Sequence, residues 1–201
     1  MTTSNRKIVG VSGSDRSGKD TVAEMLMDNG YFGFSFGDYT REQARKRHAD
    51  KSDPISVTNM TETSNWMRTE HGADVILKAA LKAYDEAMAS GKDYKGIVLF
   101  SVRAPVEVDF ILEKGGELVW VETTDEVRLQ RRLANIRPGE ATVTMEEMLS
   151  NEALQQDPQP GIPEEVQMNL KYVKAHATKI IENNGNDLAA FEKKVKQTLD
   201  L

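Results

Sequence analysis

Short apolar runs rich in β-branched residues alternate along this chain with longer segments whose apolar residues recur at helical spacing. Each run has the length of a buried strand. The runs predict strands at Lys7–Ser12, Gly33–Phe36, Gly96–Phe100, Glu117–Glu122 and Lys179–Glu182. Strands that alternate with helices predict an α/β fold, in which a parallel sheet carries helices on both faces.

Helical periodicity fills the segments between these strands. A long apolar pattern over 61–90 predicts two helices, with a break near Gly72. The other predicted helices cover about 19–29, 38–49, 104–114, 124–134, 163–176 and 186–199. Five strands with these connections fit a small doubly wound domain.

Two stretches interrupt the alternation. Lys51–Met60 has the composition of a loop within a helical insertion after the second strand. Asn135–Ile162 is polar, weakly periodic and rich in Pro and Gly. Long segments of this kind in small domains are often active-site lids. A surface loop without function is the alternative interpretation, and the basic residues just before it favour the lid.

Composition limits the classes of protein to consider. With 201 residues and 39% hydrophobic content, the chain can bury one substantial core, which predicts a single domain. The 26 basic and 32 acidic residues give a net charge of −6, which argues against a nucleic-acid polymer or an anionic membrane as partner. The lack of cysteine excludes disulfides and cysteine metal sites. With the polar start and no long apolar span, it predicts a cytoplasmic protein.

The first predicted strand leads into a glycine-rich loop and a helix. Residues 7–21 read KIVGVSGSDRSGKDT, with Gly13, Gly18 and Lys19 at G-x-x-x-x-G-K spacing. Unpaired N–H groups and the dipole at a helix N-terminus favour phosphate, and a lysine there can reach the terminal phosphates. The alternative is a glycine-rich turn with an exposed lysine, which would not require a strand before the loop and a helix after it. The loop therefore predicts a nucleoside triphosphate site made by Gly13, Ser14, Asp15, Arg16, Ser17, Gly18, Lys19, Asp20 and Thr21.

The residue after Lys19 departs from the usual pattern. Ser or Thr normally follows the lysine and binds Mg²⁺, whereas this chain has Asp20 there and Thr21 one place later. Mg²⁺ prefers carboxylate oxygen and keeps several waters, so Asp20 can bind it directly or through water. We therefore predict Asp20 and Thr21 as the metal ligands.

Charged residues follow the second strand and lie in the inserted helices. Asp38 and Arg41, in SFGDYTR, are three residues apart at a predicted helix start, so they can face one site and bind a hydroxyl or phosphate acceptor. Asp38 is also placed as an N-cap would be, which is the alternative role. Arg68, in the inserted helices, is either a ligand of the acceptor or a surface charge.

Further arginines follow the third and fourth strands. Arg103 comes directly after the third strand, at the carboxyl edge where ligands bind in open α/β sheets. Arg128, Arg131 and Arg132 lie on the helix before the predicted lid. Such a charge run is usually a solvated helix face, but arginines at this place would neutralise charge on a transferring phosphoryl group.

The order of these motifs, closed by I-I-E-N-N-G, resembles the nucleoside monophosphate kinase superfamily of P-loop proteins, especially its dephospho-CoA kinase-like and deoxynucleotide monophosphate kinase branches. The resemblance implies a three-layer α/β/α sandwich with a five-stranded parallel sheet, a helical acceptor-binding insertion and a lid. In a single domain over 1–201, it implies a core of 1–37, 91–130 and 163–201, an acceptor-binding region over 38–90 and a lid over 131–162.

The resemblance also assigns roles to residues by position. Arg68 matches an acceptor-phosphate arginine, and Asn183, Asn184 and Gly185 match a loop near the adenine. The implied catalytic residues are Lys19, Asp38, Arg103 and Arg132; the implied acceptor ligands are Asp38, Arg41, Arg68 and Arg103; and Arg128 and Asn184 join the loop in binding ATP.

The implied activity is transfer of the γ-phosphate of ATP, with Mg²⁺, to a small acceptor: a nucleoside or deoxynucleoside monophosphate, or dephospho-CoA. Asp38 would be the base for a hydroxyl acceptor, whereas a phosphate acceptor needs none. We expect a monomer or homodimer. Relatives often carry Asp at the end of the third strand, but Leu99–Arg103 has none. A nucleotide-binding regulatory protein, or a slow ATPase, is therefore the alternative.

Overall fold

Parallel strands form a five-stranded sheet in the computed structural model, which describes residues 7–136 and 142–201. The strand order is β2-β3-β1-β4-β5, so the strand that leads into the glycine-rich loop is at the centre. The strands are β1 (Lys7–Ser12), β2 (Tyr31–Ser35), β3 (Gly96–Phe100), β4 (Glu117–Glu122) and β5 (Lys179–Glu182).

Helices connect consecutive strands and cover both faces of the sheet. A 3₁₀ turn at Glu164–Val166 precedes the short helix α8. The α-helices of the described residues are α1 (Lys19–Asp28), α2 (Phe36–Arg47), α3 (Val57–His71), α4 (Val75–Ala89), α5 (Pro105–Glu113), α6 (Asp125–Ala134), α7 (Met145–Gln156), α8 (Leu170–Ala175) and α9 (Leu188–Leu199). None of these helices has the length and apolar character needed to cross a membrane.

Side chains alternate between two apolar cores along each buried strand. On β3, Ile97 and Leu99 point into one core while Val98 points into the other. The first core contains residues of α2, α3, α4, α5 and α8, and the second contains residues of α1 and α9. Because strands expose successive side chains on opposite faces, this alternation produces three layers. The predicted α/β/α sandwich with a five-stranded parallel sheet is confirmed.

Most strand bounds match the sequence prediction, because the apolar runs of β1, β3, β4 and β5 are clearly delimited. The second strand was predicted at Gly33–Phe36 but spans Tyr31–Ser35. Phe36 instead begins α2, where the hydroxyl of Ser35 accepts a hydrogen bond from the backbone N–H of Asp38. The predicted break near Gly72 is confirmed, since Gly72 has φ of 98° between α3 and α4.

The stretch predicted as a polar, weakly periodic lid contains a helix. In α7, Thr144 and Glu147 form a capping box, and Met148 is the one buried residue of the helix. A helix with so small an apolar face has little periodicity, which explains why the sequence pattern did not predict it. The predicted lid over 131–162 and core segment over 1–37 include residues 137–141 and 1–6, which lie outside the described residues.

The predicted helix at 163–176 is divided in two. Between the 3₁₀ turn and α8, the buried side chain of Gln167 donates hydrogen bonds to the carbonyls of Gln159, at 3.0 Å, and Ile162, at 2.6 Å. Asn169 then caps α8, with its side chain accepting from the backbone N–H of Tyr172. These polar contacts end one turn and begin the next. Likewise, α3 starts at Val57, so the predicted loop over Lys51–Met60 is shorter than expected.

Candidate active site

The loop between β1 and α1 takes the left-handed backbone shape that its glycines allow. Gly18, just before α1, has φ of 101°, and a Cβ atom there would lie 2.4 Å from Nδ2 of Asn183. Only glycine fits both requirements. The loop therefore wraps tightly around the N-terminus of α1, the geometry that suits an anionic phosphate.

Lys19 is enclosed in the loop, with only 5% of its side chain exposed. Its Nζ lies 4.0 Å from Oδ1 of Asp20, whose side chain is half exposed. The burial of Lys19 argues against a simple turn with an exposed lysine. The position of the amine suits charge neutralisation inside the site rather than at the surface.

The fit of the loop to phosphate and Mg²⁺ can be tested on its polar atoms. The hydroxyl of Ser17 is buried and has no hydrogen-bond partner among the described residues. A buried polar atom of this kind needs a partner, which a phosphate oxygen would supply. Within residues 7–136 and 142–201, no cluster of three or more acidic or histidine side chains could hold a metal. The predicted ligands Asp20 and Thr21 do not complete a coordination shell by themselves, so a Mg²⁺ ion held by them would also need phosphate oxygens and water.

A cleft of about 290 Å³ lies between this loop and the loop after β5. Asn183, at the end of β5, lines it, whereas the predicted ligand Asn184 accepts a hydrogen bond from the backbone N–H of Thr124 at 3.0 Å. The lining residues are Arg16, Gly18, Thr21, Arg131, Asn183, Gly185, Asn186, Asp187, Leu188 and Phe191.

Arg131 ties the two sides of this nucleotide cleft together. Its guanidinium donates to the carbonyl oxygens of Arg16 at 3.2 Å, Asn183 at 3.0 Å and Gly185 at 2.6 Å. Burial lowers the pKa of Arg131. The sequence predicted this residue only as one of three lid-edge arginines. In the structure it holds the phosphate loop and the loop after β5 at a fixed separation.

The carbonyl of Ser17 is a second fixed point of the loop. It accepts hydrogen bonds from Nδ2 of Asn183 at 2.7 Å, from the hydroxyl of Thr123 at 3.0 Å and from Arg131 at 3.3 Å. These donors follow β4 and β5 or lie on α6. Because the strands are parallel, all of these segments reach the same carboxyl edge of the sheet.

A second, smaller cleft of about 40 Å³ opens at the carboxyl edge of β3. Side chains from the helical insertion meet there with residues that follow β3 and with Gln155 of α7. This acceptor cleft, as we call it, is lined by Phe36, Gly37, Thr40, Met60, Thr61, Ser64, Arg68, Ile76, Ser101, Arg103, Glu107, Gln155 and Met168.

Arg68 lies at the bottom of the acceptor cleft in a buried ion pair. Its Nη2 donates to Oε1 of Glu107 at 2.7 Å, and the two side chains are 2% and 1% exposed. Nη1 donates to the hydroxyl of Ser64, while Nε is buried without a partner among the described residues. The alternative of a surface charge is therefore wrong for Arg68. Its guanidinium is fixed in orientation, and the Nε–H remains available as a donor.

Glu107 also orients the backbone around Arg103. Its Oε2 accepts from the backbone N–H groups of Arg103 at 2.8 Å and Ala104 at 3.0 Å. Burial lowers the pKa of Arg103, against the opposing effect of nearby carboxylates, which are Asp15, Glu152, Glu107 and Asp20. Two of these carboxylates belong to the phosphate loop. Arg103 thus lines the acceptor cleft within electrostatic range of the nucleotide loop.

Ser101 directly follows β3 and has an unusual backbone conformation. Its φ is 62°, in the left-handed region that side chains other than Gly, Asn and Asp seldom adopt. It lines the acceptor cleft in the segment where the resemblance leads one to expect an aspartate. The structure thus keeps a strained turn at this point without the carboxylate.

Asp38 and Arg41 form an ion pair at the start of α2. Ser35 is the N-cap, so Asp38 occupies the third position of the helix instead of the cap. The side chain of Asp38 is 69% exposed. Its neighbours Gly37 and Thr40, on the same turn, line the acceptor cleft, which Asp38 and Arg41 do not line.

Arg128 and Arg132 form ion pairs with nearby carboxylates. Arg128 is 2% exposed and makes a two-pronged contact with Glu152 of α7, a bond of 2.5 Å to Asp125 and a bond of 3.3 Å to the carbonyl of Asp15. Burial works to lower the pKa of Arg128, but the bonds from Glu152 and Asp125 outweigh it and raise the pKa. Arg132 lies 3.5 Å from Oδ2 of Asp15. Helix α7 is thereby bound to α6, and α6 is bound to the phosphate loop through Arg128 and Arg132.

Sequence reasoning missed two acidic residues of this site, Glu107 and Glu152. The capping box at Thr144 and Glu147 is a sequence signal that would have predicted α7, and therefore a helical position for Glu152. No local signal identifies the arginine partner of either glutamate, because Arg68 and Arg128 lie far away in the chain.

Comparison with curated proteins finds distant relatives named UPF0200 proteins. No protein-family model matches the chain. The relative from Hyperthermus butylicus is 28% identical over 144 residues, which are 71% of this chain and 72% of the relative. The relative from Pyrobaculum aerophilum is 31% identical over 126 residues, 62% of this chain and 63% of its own length. The chain spans about half (55%) of a relative from Archaeoglobus fulgidus, at 25% identity.

Solved structures match almost the whole chain. The Thermus thermophilus protein TT1252 has a TM-score of 0.50 at 22% identity, covering 98% of this chain and 97% of that one. Shikimate kinase from Bacteroides thetaiotaomicron has a TM-score of 0.53 at 13% identity, covering 97% and 99%. A gluconokinase from Sinorhizobium meliloti has a TM-score of 0.50 at 15% identity, covering 99% and 94%. The chain therefore has the fold of P-loop kinases, which confirms at that level the resemblance found in the sequence.

Proposed function

We propose that this protein is an ATP-dependent phosphotransferase that moves the γ-phosphate of ATP to a small molecule in the acceptor cleft. One observation carries the proposal: the phosphate loop with its buried Lys19 and the acceptor cleft with Arg68 and Arg103 lie at the same sheet edge. Phosphoryl transfer depends mainly on positioning and charge neutralisation, and this arrangement supports both.

On the nucleotide side, the loop residues Gly13–Thr21 would bind the phosphates, with Lys19 at the β- and γ-phosphates. Arg131 and Asn183 would keep the cleft for the nucleoside open beside the loop, since they fix its two walls. Asp20 and Thr21 would hold Mg²⁺, which when bound neutralises charge on the phosphate oxygens. Asn184 would support this cleft through its bond to Thr124.

On the acceptor side, Arg103 would stabilise negative charge on the transferring group, because it lines the acceptor cleft and interacts electrostatically with Asp15 and Asp20 of the phosphate loop. Arg68 would orient the acceptor through its unused Nε–H, with Glu107 holding its guanidinium in place. Arg128 and Arg132 would act at the phosphates from α6. The sequence favours a nucleoside monophosphate, a deoxynucleoside monophosphate or dephospho-CoA as the acceptor.

The chemistry of the acceptor decides the role of Asp38. A hydroxyl acceptor needs a base, and Asp38 would have to turn from Arg41 towards the cleft to serve it. A phosphate acceptor is already nucleophilic, so Asp38 and Arg41 would then position the acceptor. Both uses are compatible with an exposed carboxylate on the turn that lines the cleft.

The test is a coupled ADP-release assay with ATP and Mg²⁺ against a panel of nucleoside monophosphates, deoxynucleoside monophosphates and dephospho-CoA. We expect turnover to require one class of acceptor and to fall by about 10²–10³ in Lys19→Ala, since that change removes a cation at the reacting phosphates. The exposed Lys78→Ala, which removes a surface lysine of α4, is the matched control and should keep full turnover.

Tight ATP binding without acceptor-dependent turnover would overturn the kinase proposal. That result would favour a regulatory nucleotide-binding protein or a slow ATPase, for which the absent carboxylate in the Leu99–Arg103 segment is the supporting observation.

A further inference from the structure

We propose that Glu152 of α7 competes with the phosphates of ATP for Arg128, so that α7 is an acidic latch on the nucleotide site. The inference rests on the proposed function, because it takes ATP as the ligand of the loop. It adds an autoinhibitory contact, made by one carboxylate, between α7 and Arg128 of α6, which itself bonds to the phosphate loop.

The geometry of the contact is that of a phosphate ligand. Both terminal nitrogens of Arg128 bond to the two carboxylate oxygens of Glu152, and the same pair of donors can bind two phosphate oxygens. The guanidinium also bonds to the carbonyl of Asp15, so it lies directly against the phosphate loop. Glu152 therefore occupies donors that an anion bound in the loop would need.

Electrostatics place the same carboxylate in conflict with a polyphosphate. Glu152 bonds to Arg128 and also interacts electrostatically with Arg103, so its negative charge acts on two arginines of the site. Its side chain is only 14% exposed, so water screens this charge weakly. A triphosphate in the loop would add several negative charges to this small region. Repulsion between these charges and Glu152 weakens either the contact between Glu152 and Arg128 or the binding of the nucleotide.

Release of the latch would also affect the acceptor. Helix α7 carries Gln155, which lines the acceptor cleft, and Met148, which is buried against the body of the protein. A carboxylate that leaves Arg128 would therefore loosen a helix that forms part of the acceptor cleft. Nucleotide binding and access of the acceptor are coupled through one helix.

The test compares Glu152→Gln with Glu146→Gln. Both changes remove one negative charge from α7 with little change of shape, but Glu146 is exposed on the first turn. Asp125 still pairs with Arg128 in Glu152→Gln, so the guanidinium keeps a counter-charge. We expect ATP to bind about tenfold more tightly to Glu152→Gln, and residues 145–156 to exchange amide hydrogens faster. Glu146→Gln should match the unmodified protein in both measurements.

The outcomes separate the two proposals. ATP that binds to Glu152→Gln with equal or lower affinity overturns the latch and leaves the proposed function standing. ATP that binds neither the unmodified protein nor Glu152→Gln overturns the proposed function, and the latch with it.

A second variant covers the case in which Glu152→Gln does not fold, as judged by its thermal unfolding. Glu152→Asp keeps the charge but shortens its reach to Arg128, so it should also bind ATP more tightly than the unmodified protein. Equal or weaker binding by Glu152→Asp overturns the latch.

Discussion

The two clefts at the sheet edge are built in different ways. In the nucleotide cleft, Arg131 and Asn183 donate to backbone carbonyls, and glycine geometry sets the shape of the loop. In the acceptor cleft, side chains hold one another, with Arg68 paired to Glu107 from a helix far along the chain. A site made of backbone can be recognised from spacing in one short segment, whereas a site made of paired side chains depends on partners that only the fold brings together.

The largest effect on stability should come from breaking the acceptor-side ion pair. Arg68→Ala should lower the free energy of unfolding by about 3–5 kcal/mol, because it leaves the buried charge of Glu107 without its partner. Urea unfolding followed by circular dichroism measures this. The double change Arg68→Met/Glu107→Leu should recover only part of the loss, because it removes both charges but leaves the backbone N–H groups of Arg103 and Ala104 without their acceptor. A loss below about 1 kcal/mol in Arg68→Ala would contradict the pairing.

On the nucleotide side, Arg131→Ala should cost less. We expect about 2 kcal/mol of unfolding free energy, because charged hydrogen bonds to several carbonyls are lost but water can replace part of them. The KM for ATP should rise more than the KM for the acceptor, which steady-state kinetics would resolve. Arg45→Ala, at an exposed position on α2, is the control and should change neither quantity. Equal effects on both KM values would contradict a role confined to the nucleotide cleft.

Two glycine substitutions, compared with each other, test how closely the backbone of the nucleotide loop fits its surroundings. Gly18→Ala and Gly91→Ala both place a side chain at positive φ, 101° and 85°, but only the first meets atoms within 4 Å. Gly91→Ala should cost about 1 kcal/mol of unfolding free energy from backbone strain alone. Gly18→Ala should cost more and weaken ATP binding, because it pushes Asn183 away. Calorimetric ATP titration distinguishes the two, and similar ATP affinity in both variants would contradict the close fit.

The smallest effect on stability is expected at Asp38. Asp38→Asn should change the free energy of unfolding by less than about 0.5 kcal/mol, because its ion pair with Arg41 is exposed to water. The same variant reports on the chemistry. With a hydroxyl acceptor, loss of the base should lower kcat by about 10²–10⁴, whereas with a phosphate acceptor kcat should hold nearly constant. A stability loss comparable to that of Arg68→Ala would contradict the exposed position.

The sequence predicted the fold well where one short segment determines an element. The apolar runs of β1, β3, β4 and β5 gave strand bounds that the structure confirms, and the break between α3 and α4 follows from Gly72. Helix α7 was missed because its stability depends on a capping box and one buried methionine more than on an apolar stripe.

In the candidate site, too, the features determined by one short segment were predicted, whereas contacts between distant segments were not. Glycine spacing predicted the phosphate loop, and its place after the third strand predicted Arg103 at the carboxyl edge of the sheet. Arg68 was assigned to the acceptor only by the family resemblance, and the structure places it along the same cleft as Arg103. The contacts of Arg128 and Arg131 did not, because residues three apart on α6 turn to different neighbours, one to carboxylates and one to carbonyls. Helical periodicity predicts the face of the helix on which a side chain lies, but not the chemical group that it contacts in the folded protein.

The turn at Ser101 has a consequence for the aspartate that the family resemblance leads one to expect in this segment. The left-handed conformation at the end of β3 is one that Asp and Asn adopt more readily than Ser. An aspartate would therefore fit this backbone with less strain than the serine that occupies it. The backbone conformation therefore does not disfavour a carboxylate at this position, and Ser101→Asp would introduce one into the lining of the acceptor cleft without adding backbone strain.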